Sequence, residues 1–275
     1  MNREFNFKDV SFMIHVRVDI PARLENLTTI MDYYHHACDN VEFIIVNDDS
    51  IPDDRLRNLN ETYTDSKFLF QKNDNIYHRT RAFNAASVNS TRPFIIAGDT
   101  DVIIHPKYIL QSIDLMRKND TVAAMHPYNG LFLHVSEDIK QEIIRRKDIN
   151  FLLEYVPDKS NQVPNYEDGN ILVAHTNSQG GCIIYNHDHW NSFNGYNPNF
   201  VGWGYEDDEI RCRVQKLGYD WNRIVDVDAI AWHLPHPNTV KEKHPYYNLN
   251  KEHLDFVSAS SHNTLTEYIQ TWKVE

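Results

Sequence analysis

The chain has 275 residues, 41% hydrophobic and 12% aromatic, which is ample for a packed core and excludes a disordered segment. A formal net charge of −12, from 39 acidic against 27 basic residues, excludes a general nucleic-acid binder, whose affinity rests on clustered lysine and arginine. A nucleotide ligand stays open, because a bound divalent cation supplies local positive charge.

The three cysteines, Cys38, Cys182 and Cys212, are odd in number and far apart. That spacing indicates neither a zinc knuckle nor a disulfide framework and points to a reducing, cytoplasmic setting. The N-terminal residues lack the long apolar stretch of a secretory signal. No run reaches the roughly 18 apolar residues of a membrane helix, so any membrane association is expected to be peripheral.

In chain order, residues 12–18 read as a buried strand, and residues 23–35 as a helix with Leu24, Leu27, Ile30 and Met31 on one face. His35 and His36 close that helix, where cations suit the dipole. A second strand over 41–46 ends in Asn47-Asp48-Asp49-Ser50, and a weaker helix begins near Pro52. A short strand over 67–70, a helix over 80–88, a strand over 93–97 and a helix over 106–117 follow, the last opened by Pro106. The second half is less regular. Residues 135–146 suit an exposed amphipathic helix, and 151–176 a loop region or lid. Residues 181–185 read as a strand, with His187, His189 and Trp190 starting a surface helix after it. A helix over 206–217 is stopped by Gly218, and a strand over 221–227 follows. This alternation predicts an α/β fold in one continuous domain, with a mostly parallel central sheet flanked by helices. Ligands of such sheets gather at the carboxyl ends of strands, where Asp19, Asp48, Asp49, Asp99 and Asp101 all fall.

Two clusters bear on chemistry. Asp99-Thr100-Asp101 leaves the apolar run 93–98, and two carboxylates at i and i+2 make a hard-oxygen site suited to Mg²⁺ or Mn²⁺. The same three letters are also common in turns. Gly202-Trp203-Gly204-Tyr205-Glu206-Asp207-Asp208-Glu209 sets four acids in one helical turn. The helix dipole accounts for one or two; four repel, which raises carboxylate pKa values and suits a general base. Trp203 adds a flat ring of the kind that stacks on a sugar face. The aromatic segment 193–200 either lines an acceptor cleft or forms a plain Asn/Gly/Pro turn.

An Asp-x-Asp at a strand end, followed about a hundred residues later by Gly-Trp-Gly-x-Glu-Asp-Asp, resembles nucleotide-sugar glycosyltransferases of the GT-A fold. The similarity is greatest to β-1,4-galactosyltransferases and the galactosyltransferase-type halves of chondroitin polymerases. Ile14-His-Val16-Arg17 with Asp19 and Arg23 resembles the segment that holds uracil and ribose, and Asp48 the acid that reads the base. Arg79-Thr-Arg81-Ala-Phe-Asn84 resembles the helix start facing the donor, with Ala85-Ala86 in place of the usual glycine. Gln179-Gly180-Gly181 resembles a segment beside the donor sugar, though two glycines before a strand also make an ordinary turn.

The resemblance implies that Asp101 binds the metal and Asp99 orders the donor or meets the metal indirectly. A late metal ligand is implied about thirty residues after Trp203, at His233, with His236 as the alternative. Asp207 would be the catalytic base, with Trp203, Glu206 and Asp208 on the acceptor side. Tyr205 replaces a second glycine. The implied activity is a Mn²⁺- or Mg²⁺-dependent, inverting transfer of galactose, N-acetylgalactosamine or glucose from a UDP-sugar to a carbohydrate or glycoconjugate acceptor. Residues of about 10–125 would bind the nucleotide, and about 126–275 the acceptor. A retaining transferase of the polypeptide N-acetylgalactosaminyltransferase type, or a non-catalytic sugar-binding domain, is the alternative on the same fold.

Overall fold

A computed structural model describes residues 3–156, 170–237 and 245–272. The first half contains β1 (Phe5–Asn6), β2 (Val10–Val16), α1 (Pro21–Ala37), β3 (Cys38–Asp39), β4 (Glu42–Asp49), α2 (Asp54–Thr62), β5 (Lys67–Lys72), α3 (Arg79–Asn89), β6 (Phe94–Gly98), β7 (Val102–Ile103), α4 (Pro106–Lys118) and β8 (Val122–His126). The second half adds β9 (Phe132–Val135), α5 (Glu137–Arg146), a 3-10 turn (Phe151–Tyr155), β10 (Ile171–His175), β11 (Cys182–Asn186), α6 (His187–Ser192), α7 (Glu206–Lys216), β12 (Asp220–Arg223), β13 (Ala231–His233), α8 (Tyr247–Ala259) and α9 (His262–Gln270).

The central sheet runs β12-β8-β11-β6-β2-β4-β5. Strand β11 lies antiparallel to both its neighbours, and the other pairings are parallel. Strands β2, β4 and β6 are near-continuous apolar runs because helices cover both faces of the sheet. Alternation along β2 divides the core: Phe12, Ile14 and Val16 face one cluster, and Met13 faces the other. The two clusters sandwich the sheet, which gives the expected mostly parallel α/β architecture.

A second sheet, β10-β9-β13-β7, was not expected. Its strand β10 forms where 151–176 reads as loop, and the strand expected over 221–227 is shorter, at Asp220–Arg223. Strand β12 stops at Arg223, and β13 then joins the other sheet. Strands of two to five residues with mixed burial show no clear period, so they are silent in the sequence. Residues 157–169, inside the anticipated loop or lid, lie outside the described residues.

This second sheet positions chemistry. Strand β7 begins directly after Asp101, and β13 pairs with it antiparallel, His233 opposite Val102. The Leu234 N–H then donates to the Asp101 carbonyl at 2.7 Å. Two segments far apart in sequence are thereby stapled at the exit of β6. Among the described residues, no helix is long and apolar enough to cross a membrane.

Candidate active site

Asp99 and Asp101 follow the end of β6 and meet different partners. The Asp99 N–H donates to Gly181 O at 2.9 Å, and its side chain stays 38% exposed. Asp101 is buried beside two imidazoles: His233 Nε2 lies 3.6 Å from its Oδ1, and His236 Nε2 3.3 Å from its Oδ2. Ligand atoms of the three residues fall within 4.8 Å of one another. Burial raises the Asp101 carboxyl above its usual range, against the charges of His236 and Arg23. Burial, with His134 and His236 beside it, holds His233 down to about 3, so this imidazole is neutral near pH 7.

The donor set tests whether a metal fits. His236 Nδ1 lies 3.1 Å from the Pro237 carbonyl, which can only accept, so Nδ1 carries the proton and Nε2 presents a lone pair in the neutral ring. That lone pair faces a carboxylate oxygen. Two acceptors at this range repel unless a proton or a cation lies between them. One carboxylate and two imidazoles suit Mn²⁺, so Asp101, His233 and His236 could hold it.

Arg79, the first residue of α3, is the hub of the remaining charges. Its Nη2 donates to Asp99 Oδ1 at 3.1 Å and its Nη1 to Asp207 Oδ1 at 3.0 Å. Glu206 Oε1 lies 3.5 Å away, and the guanidinium sits 4.7 Å over the Phe83 ring. A buried arginine ringed by three carboxylates is compensated, and its planar fork fixes their relative positions. Two residues on, Arg81 is exposed, and its N–H meets the capping ring of His78. The motif therefore contains, at Arg79, an arginine that reaches Asp99, Glu206 and Asp207.

Helix α7 sorts the four acids by direction. Glu209 points inward to a fully buried pair with Arg213 at 2.7 Å, so it belongs to the core. Arg213 also donates to the carbonyls of Phe193 and Gly195, which fixes the turn that carries Tyr196. The Tyr196 hydroxyl donates to Asp207 Oδ1 at 3.0 Å, the same oxygen that Arg79 holds. The other oxygen, Oδ2, lies against Gly180, where a Cβ would come within 2.5 Å of it. Glu206 accepts from Gly204 N–H at 2.9 Å, and burial first, then the Asp207 charge, pushes it up to about 7. Asp208 is half-buried and raised by the same causes in the same order. Burial thus outweighs the like-charge crowding expected from sequence.

The loop before α7 needs unusual backbone. Gly202, Gly204 and Tyr205 have φ of 68°, 116° and 67°. Glycine adopts such angles freely, whereas tyrosine is strained there. Tyr205 is tied down by a 2.7 Å hydrogen bond from its hydroxyl to that of Tyr247, whose ring also stacks on Trp203 at 5.9 Å. Trp203 is 58% exposed and presents a flat face to solvent.

Gly180 and Gly181 lie inside this site. The Tyr128 hydroxyl donates to Gly180 O at 2.6 Å, and His126 Nε2 donates to Gln179 O at 2.9 Å. His126 Nδ1 accepts from Trp221, and burial holds this ring down to about 3, so it is a neutral donor.

The anticipated donor residues near β2 and β4 serve the framework first. Val16 is buried in the core. Arg17 donates to the carbonyls of Asp48, Asn73 and Asn75, clamping the loop after β5. Asp48 has no exposed surface and accepts from His78 N–H at 2.6 Å and from Asn73 at 3.1 Å, with His15 at 3.3 Å. Burial works to raise it, but the His15, His78 and Asn73 contacts together lower it. Asp19 is exposed and pairs with Arg23 at 2.8 Å. Residues that sequence reasoning missed are Tyr196, Tyr128, His126 and Tyr247; only Tyr196 had a signal, in the aromatic segment 193–200.

The profile of glycosyl transferase family 2 matches residues 20–172, and that of the N-terminal domain of galactosyltransferase matches residues 170–241. No curated protein matches the chain by sequence. The fold is similar to the catalytic domain of Drosophila β1,4-galactosyltransferase 7 in complex with xylobiose. That likeness has a TM-score of 0.51 at 14% identity, over 94% of this chain and 82% of that one. It is also similar to the mannosyltransferase PcManGT from Pyrobaculum calidifontis in complex with GDP-Man and Mn²⁺. There the TM-score is 0.52 at 11% identity, over 95% of this chain and 73% of that one. At such identities the likeness concerns the fold, while the family profile covers more than half of the chain. The chain belongs to glycosyl transferase family 2 and is a glycosyltransferase of the galactosyltransferase-like GT-A type.

Proposed function

We propose that this chain transfers a hexose from a UDP-sugar to a hydroxyl of a carbohydrate or glycoconjugate acceptor, with inversion and in dependence on Mn²⁺ or Mg²⁺. The observation that carries the reading is the asymmetry of Asp207. One oxygen is anchored by Arg79 and Tyr196, and the other lies beside Gly180 with no hydrogen-bond partner among the described residues. A carboxylate so held is oriented as a general base. Its Oδ2 takes the acceptor hydroxyl proton as the acceptor oxygen forms a bond to the anomeric carbon. The bond from that carbon to the diphosphate oxygen breaks in the same displacement, which inverts the centre. Arg79 spans Asp207 and Asp99, so base and donor-ordering carboxylate keep one spacing, which lowers the entropic cost of reaction. A divalent cation held by Asp101, His233 and His236 would neutralise charge on the departing diphosphate.

On this reading Trp203 offers its exposed face to the acceptor ring, with Glu206 and Asp208 beside it. Gly181 and Arg81 meet the donor, and Val16, Arg17 and Asp19 line the nucleotide end. Asp48 acts on the base through the His78 and Asn73 segments it holds. The nucleotide half is about residues 10–125 and the acceptor half about 126–275. Support for the partner classes comes from the two similar structures, one with GDP-Man and Mn²⁺ and one with xylobiose.

The test is Asp207→Asn, scored on transfer with a panel of UDP-sugars. We expect kcat to fall by about 10²–10⁴-fold, with Mn²⁺-dependent UDP binding kept. Near-normal transfer would remove Asp207 as the base, and a first product with the donor's anomeric configuration would remove inversion.

A further inference from the structure

We propose that His134 is a positioning residue for the metal ligand His233, acting through one ring-to-ring hydrogen bond. The inference rests on the reading of Asp101, His233 and His236 as a cation site. Strands β9 and β13 pair in parallel with His134 directly beside His233, so both side chains leave the same face of the second sheet. Their Nδ1 atoms are 2.7 Å apart, with ring centroids at 4.5 Å and planes at 81°. The Phe132 ring also packs against His233, at 5.4 Å between centroids, which helps to hold the imidazole in this orientation.

Two facing ring nitrogens at hydrogen-bond distance share one proton, so one donates and the other accepts. Were His134 the donor, neutral His233 would carry its own proton on Nε2, and the atom facing Asp101 could not ligate. With His134 as acceptor, His233 is protonated on Nδ1 and offers an Nε2 lone pair toward Asp101. Exposed His134 keeps its own proton on Nε2, where water can accept it. His236 is set the same way by a backbone carbonyl, through Nδ1 and Pro237 O. Both imidazoles beside Asp101 thus have an Nδ1 acceptor and an Nε2 turned to the carboxylate. Metal-bound histidines generally need such an outer partner to fix tautomer and ring direction. Here one of the two partners is a side chain from a strand that the sequence did not reveal.

The test measures Mn²⁺ affinity by titration calorimetry in the absence of any sugar, for the full chain with its fold checked by circular dichroism. In His134→Phe the ring is kept and the acceptor lost, and we expect affinity to fall by about 10–100-fold. In His134→Asn an amide oxygen replaces Nδ1 as acceptor, and affinity is expected within about threefold of wild type. Asp101→Asn marks loss of the cation site itself. An unchanged affinity in His134→Phe, with Asp101→Asn abolishing binding, would overturn the role of His134 and leave the cation site standing. Equal weakening in His134→Phe and His134→Asn would also overturn it, because the loss would then not follow the acceptor. Wild type that fails to bind, or binds as well with Asp101→Asn, would remove the cation reading and this inference with it.

Discussion

Single residues in this site owe their properties to direction more than to identity. Glu206, Asp207, Asp208 and Glu209 are adjacent in sequence, yet they meet Arg79, Tyr196, a half-exposed surface and Arg213 respectively. Glu206 yields a pH prediction. Its native pKa is raised to about 7, so it favours the fold while protonated, below its ordinary value of 4.5. That contribution is lost as pH rises through about 7. Glu206→Gln stays neutral and still offers an oxygen to Gly204 N–H. In chelator, wild type should therefore lose stability relative to this variant between about pH 5 and pH 8, by up to about 3 kcal/mol. Urea denaturation across that range reads it directly, and parallel curves for the two proteins would show that Glu206 does not titrate as described.

Between elements, the decisive contact is that of the Gly180-Gly181 turn with the start of α7. The turn is pinned by Tyr128 and His126, and α7 by the Glu209–Arg213 pair beneath it. Neither side has slack, so Gly180→Ala must move Asp207 Oδ2, which lies 2.5 Å from the new Cβ. Gly180 does not have a positive φ, so the backbone tolerates alanine. We expect kcat to fall about 100-fold, as for a misplaced catalytic group, with the melting temperature nearly unchanged. A variant with wild-type kcat would mean that Oδ2 is not the reacting oxygen. The legible elements were the long ones: the βα units from β2 to α4 repeat strongly enough for period and caps to mark them. The second sheet was invisible because its strands are too short to carry a period, although it brings His233 to Asp101.

For the molecule as a whole, a net charge of −12 sits on a chain whose site gathers Asp99, Glu206 and Asp207 around one buried arginine and sets Asp101 beside two histidines. On the proposed reading a divalent cation would offset that excess only in the folded protein, because the separated residues do not converge in the unfolded chain. Mn²⁺ should therefore raise the melting temperature, with about 2.7 kcal/mol of added stability at a hundredfold excess over Kd. Asp101→Asn should abolish the shift. An equal shift in that variant would place the cation elsewhere.

By itself the sequence determined the α/β class, the order of the motifs and the residue types of the site, since strand-end acids and a Gly-Trp-Gly before an acidic helix start are local patterns. His233 and His236 became candidates through the resemblance to GT-A glycosyltransferases, which places a late metal ligand about thirty residues after Trp203. Only the tertiary structure decided that Arg79 reaches Asp99, Glu206 and Asp207; that Glu209 belongs to the core; that Asp48 is walled in; and that His134 stands behind His233. The reason is physical. Sequence periods of 2 and 3.6 report which face a side chain takes on its own element. The contacts that make the site join residues 128 positions apart for Arg79 and Asp207, and 99 apart for His134 and His233. Sheet register and helix docking set those distances, and no local pattern records them.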